Sequence, residues 1–154
     1  MKTKNILISV VSITLSLALI FSLGACTKKS EGPSEVPSAV SPMENKGIGP
    51  VKSYALAPLN PQKAAQGEAI FKAKCAACHK MDERYVGPPL KGITERRSPE
   101  WILNQILNPQ EMTQKDPIAK ELLATYLTQM TFQNISEDEA KQILEYLRQI
   151  DGQK

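Results

Sequence analysis

Cys75-Ala76-Ala77-Cys78-His79 decides how this sequence reads. Two cysteines three apart, with a histidine directly after the second, form the attachment sequence of a c-type haem. Each spacing has a chemical reason. The two thiols add to the two vinyl groups along one edge of a porphyrin, and two intervening residues let one helical turn span that edge. The following histidine then lies under the iron, where its imidazole becomes the proximal ligand. A redox-active Cys-x-x-Cys would want a βαβ surround, and no parallel-strand pattern is present. A structural zinc site wants four Cys or His ligands. The sequence holds only one more cysteine, Cys26, and no second histidine.

Composition agrees with a bound macrocycle. The chain has 154 residues, enough for one domain with appendages, and only 5% are aromatic. A small chain with few aromatics builds a large apolar core with difficulty, and a buried porphyrin fills that gap. The formal charge of +3 comes entirely from the first 59 residues, where Lys2, Lys4, Lys28, Lys29, Lys46 and Lys52 face Glu31, Glu35 and Glu44. From Asn60 onward the charges balance. No nucleic-acid partner is expected, since such a domain would carry a basic face.

Outward toward the N-terminus, residues 1–25 read as an export signal. Two lysines precede Ile6–Leu23, an uncharged run of 18 residues. That length also admits a transmembrane helix. The run ends in Leu23-Gly24-Ala25-Cys26, which resembles the bacterial lipobox. The resemblance implies that Cys26 is lipidated and becomes the mature N-terminus, so that the protein is a membrane-anchored lipoprotein. It would face the periplasm from the outer or inner membrane, or stand on the cell surface of a Gram-positive organism. Thr27, where an aspartate would signal inner-membrane retention, leans toward the outer membrane. An uncleaved helix and a free or bridging Cys26 compete with lipidation. Residues 26–59 form a tether: Pro33, Pro37, Pro42, Pro50 and Pro58 interleave with Ser, Gly and charge, a composition that stays extended. Its later half, Ile48 to Leu59, is less polar and either remains tether or lies along the domain.

Residues 60–154 form the folded domain. Asn60-Pro61 starts a helix with a capping side chain and a proline in the first turn. Ala65, Ala69, Ile70 and Ala73 then recur at helical spacing, with Gly67 and Phe71 four apart. Two adjacent prolines in Gly87-Pro88-Pro89-Leu90 exclude a helix there. Ser98-Pro99-Glu100 opens a second helix through Leu107, and Asp116-Pro117 a third to about Leu127. Ser136-Glu137-Asp138-Glu139 is a capping box that opens the last helix, to about Ile150.

In this order the motifs resemble a bacterial class I (monohaem) cytochrome c: Gly67-x-x-x-Phe71-x-x-x-Cys75-x-x-Cys78-His79, Gly87-Pro88-x-Leu90, then Met130 before a capped helix ending Leu144-Glu145-Tyr146-Leu147. The resemblance implies an all-α fold of about four helices around one covalently bound haem. Its first and last helices would cross, with Gly67 and Phe71 meeting Ile143 and Tyr146. It also implies that the carbonyl of Pro88 accepts a hydrogen bond from the non-ligating nitrogen of His79, fixing the ring and its basicity.

With a single histidine, the second axial ligand falls to a methionine. Met81 is two residues past His79 and cannot cross to the other face. Met43 lies in the tether. Met112, in the stretch between two helices, and Met130, in the loop feeding the last helix, both remain. Met130 stands at the family's ligand position, although it is followed by Thr131 where many relatives have proline. Trp101, Arg96 and Arg97 are possible propionate partners, and equally a core tryptophan and a solvated face. A haem closed by His79 and Met130 leaves no vacancy for substrate, so the expectation is an electron carrier and not an enzyme. Its partner would be a membrane-bound or periplasmic reductase such as a nitrous oxide reductase, a terminal oxidase or a quinol-oxidising complex. A gas or redox sensor with a displaceable methionine is the alternative. A peroxidase would want a distal histidine.

Overall fold

The computed structural model describes residues 41–153. The expected signal segment, Cys26 and the first part of the expected tether lie outside the described residues. Within them there are six helices and no strand: α1 (Pro61–Lys74), α2 (Ile93–Arg96), α3 (Pro99–Leu107), α4 (Pro109–Lys115), α5 (Pro117–Tyr126) and α6 (Glu137–Ile150). None of these is long and apolar enough to cross a membrane. The four helices expected from capping residues are present. Asn60 accepts from Lys63 N, Ser98 from Trp101 N and Asp116 from Ala119 N. Ser136 and Glu139 satisfy each other's backbone N–H groups in a closed capping box. The short α2 and α4 are additions.

The first and last helices pack against each other. A Cβ at Gly67 would run into the carbonyl of Gln142 and the backbone N of Ile143, so glycine there sets how closely the helices approach. One turn later, the rings of Phe71 and Tyr146 lie 5.5 Å apart and tilted by 49°, a favourable aromatic geometry. Ala64, Ala140, Ile143, Leu144 and Leu147 fill the seam and are buried. Beyond α6, the carboxylate of Asp151 accepts from Gly92 N, Thr94 N and Thr94 Oγ1. The C-terminal end is thereby fastened to the start of α2.

Residues 45–57 lie along the domain, and they do so through side chains of α3 and α4. Asn104 Oδ1 accepts from Val51 N at 3.0 Å, and its Nδ2 donates to the carbonyls of Lys46 (2.9 Å) and Val51 (2.8 Å). Glu100 Oε1 accepts from Tyr54 N at 3.0 Å. Ser98 Oγ donates to the Asn45 carbonyl at 2.6 Å, and Asn45 Nδ2 donates to Asp116 at 2.7 Å. At the far end, Arg148 donates to the Ala57 carbonyl and Glu145 accepts from Asn60 N. Arg148 and Glu145 are buried and also paired with each other. This strap adds Val51 to the core, with Ile48 and Tyr54 packed against it. It is ordered because α3, α4 and α6 supply partners for its backbone groups.

Candidate cofactor site

Helix α1 ends where the chemistry begins. The N–H groups of Cys75 and Ala76 both reach the Phe71 carbonyl, and those of Cys78 and His79 reach the Cys75 carbonyl. The five residues thus form a compact turn that carries both thiols and the imidazole together. The two cysteines are not joined in a disulfide; Cys75 is partly buried and Cys78 exposed. Burial raises the pKa of Cys75 above the ordinary thiol range, against a smaller opposing pull from Lys74.

The loop after the turn folds back onto it. Gly87 N donates to the Cys78 carbonyl at 2.9 Å, and Leu90 N to the Lys80 carbonyl at 3.0 Å. This brings the Pro88 carbonyl to 3.2 Å from His79 Nδ1. A carbonyl only accepts, so Nδ1 carries the proton and Nε2 keeps its lone pair for a metal. A Cβ at Gly87 would stand 2.6 Å from His79 Cε1; the ring needs a glycine beside it. Burial lowers the pKa of His79, and the bond to Pro88 opposes this only in part. Burial thus favours the neutral imidazole, the state a ligand must have.

Cys75, Cys78 and His79 line one cavity together with Met130. Its walls are mostly apolar, from Phe71, Leu90, Ile93, Trp101, Ile102 and Leu147 among others. Two thiols on one turn, a neutral imidazole with a bare nitrogen, a thioether and an apolar cleft are the donor set and surroundings of a covalently held porphyrin. The residues present fit that group.

The loop carrying Met130 is held from three sides. Leu127 ends α5 in the left-handed conformation (φ 54°). Thr113 Oγ1 donates to Gln129 Oε1 at 2.9 Å, and Lys74 Nζ donates to the Asn134 carbonyl at 3.3 Å. The second of these ties the loop to the helix that ends in the cysteines.

The other methionines point elsewhere. Met112 is not in a loop but within α4, fully buried, and its sulfur accepts from Ile48 N at 3.0 Å. It belongs to the strap contact, not to the cavity lining. Met43 is exposed, and Met81 lines a neighbouring surface recess. Trp101 Nε1 donates to Asp116 Oδ1 at 3.1 Å, so its N–H is already committed. Arg96 is exposed, whereas Arg97 lies over the Trp101 ring at 5.4 Å, with its Nε buried and without a partner among the described residues. Gln105 is a cavity residue that the sequence pattern does not single out, because it occupies an ordinary position of an amphipathic helix.

The sequence matches the family described as Cytochrome c over residues 64–151. It is similar to a "Cytochrome c-553-like" protein of Synechocystis sp., with 41% identity over 69 residues, covering 42% of this chain and 66% of that protein. With the cytochrome c2 of Rhodopseudomonas palustris it shares 30% identity over 111 residues, covering 56% of this chain and 96% of the relative. Among solved structures, a cytochrome c from Rhodothermus marinus superposes with a TM-score of 0.66 at 46% identity, covering 68% of this chain and 90% of that one.

Proposed function

This chain belongs to the cytochrome c family, electron carriers with covalently attached haem c, and from that premise we propose that its iron is held by His79 and Met130. The single observation that carries this reading is that the imidazole and the thioether line the same cavity as both thiols, while Met112 is engaged by the strap. When bound, the haem supplies reversible exchange of one electron between the ferrous and ferric states. The protein's part is to hold and insulate. Cys75 and Cys78 fix the macrocycle, Pro88 orients the His79 ring, and the apolar walls keep water away. A methionine opposite a histidine raises the reduction potential. Ligation of the iron by both His79 and Met130 would leave no position for a substrate, which supports a carrier and not an enzyme.

The test is optical. Ferric protein matured with haem should show the methionine–ferric charge-transfer absorption, and a Met130→Ala variant should lose it. Retention of the band in that variant would refute Met130 as the ligand. Rapid carbon monoxide binding by the reduced parent protein would favour a sensor.

The same proposal includes an exported, membrane-anchored carrier. The support is in the sequence: a positive start, an apolar run and the lipobox-like Leu23-Gly24-Ala25-Cys26. Lipidation of Cys26 would keep the domain near the membrane and raise its effective concentration beside a membrane-bound or periplasmic partner, a reductase, an oxidase or a quinol-oxidising complex. A Cys26→Ser variant should be released from membranes into the soluble fraction. An unprocessed variant that stays membrane-bound would instead mark residues 6–23 as a transmembrane helix.

A further inference from the structure

Helix α4 has seven residues and no side-chain cap at its N-terminus. A helix of about two turns does not hold its shape alone in water, so its neighbours must hold it. One neighbour is the strap. Ile48 N donates to Met112 Sδ at 3.0 Å, and Asn108 Nδ2 donates to the Ile48 carbonyl at 3.2 Å. The other neighbour is the loop that carries Met130. The single hydroxyl proton of Thr113 has three acceptors in reach: the carbonyls of Pro109 and Gln110 at 3.0 Å each, and Gln129 Oε1 at 2.9 Å. Only the last lies outside the helix. The other end of the Gln129 amide, Nε2, donates to the Met130 carbonyl at 2.9 Å and lies 3.5 Å from the Pro109 carbonyl. Met112 and Thr113 are adjacent and both buried. The strap and the Met130 loop therefore grip one short helix at neighbouring residues.

We propose that the strap is a positioning element for the distal ligand and acts through α4: the seated strap fixes α4, and Thr113 and Gln129 then fix the backbone of Met130. The inference rests on the reading of Met130 as ligand. The chain of contacts ends on the Met130 carbonyl, so it acts by placing the loop. Displacing Met130 from the iron moves that loop, and bonds from the loop to a fixed helix resist the movement. The same bonds resist little when α4 is free to follow. In this way α4 is a small element that both the strap and the loop bias, which is the physical requirement for coupling between two sites. The residues preceding the strap are the expected tether, so the seating of the tether on the domain bears on the ligand.

The experiment is a double-mutant cycle read by imidazole binding to the ferric holoprotein, since imidazole must displace Met130. On the strap side, Met112→Leu keeps the volume and removes the acceptor of Ile48 N. On the loop side, Thr113→Val keeps the shape and removes the hydroxyl. Each should raise imidazole affinity about two- to ten-fold, the range expected for loss of one net hydrogen bond. Both should retain the charge-transfer band before imidazole is added. In the Thr113→Val background, Met112→Leu should add less than about two-fold, because the path from the strap is already cut. A general loss of stability would instead multiply the two effects. Multiplied effects, or an unchanged affinity in Met112→Leu, would overturn the coupling alone. Asn108→Ala cuts the strap side at the Ile48 carbonyl, and Gln129→Ala, at an exposed residue, cuts the loop side; they replace a first variant that fails to mature. Absence of the band from the parent protein, or its loss in Met112→Leu, would overturn the ligand assignment, and this inference with it.

Discussion

At the residue scale, the imidazole is governed by its smallest neighbour. Gly87 lies against the His79 ring, and a methyl group there would stand 2.6 Å from Cε1 and 2.9 Å from Nδ1. The ring of a Gly87→Ala variant must tilt, and the 3.2 Å bond from Nδ1 to Pro88 must lengthen. The expected outcome is a lower yield of matured protein and a shifted reduction potential, read by spectroelectrochemistry. Gly67→Ala makes a different demand. Its methyl group meets the backbone of Gln142 and Ile143, which cannot rotate away as a side chain would. Overpacking of this kind costs about 1–3 kcal/mol, so the midpoint of denaturant unfolding should fall. The cysteines, the histidine and these two glycines stand out in the sequence because their spacing is short and local. Met112 does not. Its position in a helix depends on a seven-residue segment that has no periodic apolar pattern, and its sulfur's partner is Ile48, far away in sequence.

At the element scale, caps explain which helices can be read in advance. An N-cap is a contact over three residues, so Asn60, Ser98, Asp116 and Ser136 announce α1, α3, α5 and α6 from the sequence alone. By contrast, α4 begins at Pro109 with no side-chain cap. It is held by tertiary contacts such as that of Thr113 with Gln129. The capping box of α6 also makes a pH prediction. Hydrogen bonds from the Ser136 backbone N–H and hydroxyl, with Lys74 nearby, hold the Glu139 carboxyl below its ordinary pKa. A carboxyl depressed in the folded state stabilises the fold above its unfolded pKa. That contribution is lost as pH falls through the folded value. Thermal stability should therefore decline through the acid carboxylate range, and Glu139→Gln should flatten that decline while slightly lowering stability at neutral pH.

At the scale of the whole molecule, the strap and the two end helices carry the organisation. Asn104 alone serves Val51 N, Val51 O and Lys46 O. Asn104→Leu leaves these groups without partners, at about 1–3 kcal/mol for a buried polar group. The variant should lose stability, and hydrogen exchange at the Val51 amide should accelerate from the slow core class to that of a loose segment. The sequence leaves the strap's course open because Ile48–Leu59 is less polar than the earlier tether yet keeps Pro50 and Pro58. What orders it is a set of receiving groups on α3, α4 and α6, which no local pattern reveals. The cavity has the same origin: the cysteine turn and the Met130 loop are far apart in sequence, and only the fold, with Lys74 bonded to Asn134, makes them neighbours.

The crossing of α1 over α6 also constrains how the protein is made. The 14 residues of α1 are about the length at which an isolated helix is marginal in water, and its partner is the last helix of the chain. Until the segment around Ile143 and Tyr146 has emerged, the surface containing Gly67 and Phe71 has nothing to close upon. The seam between α1 and α6 therefore forms as one event, with neither helix holding its shape in advance of the other.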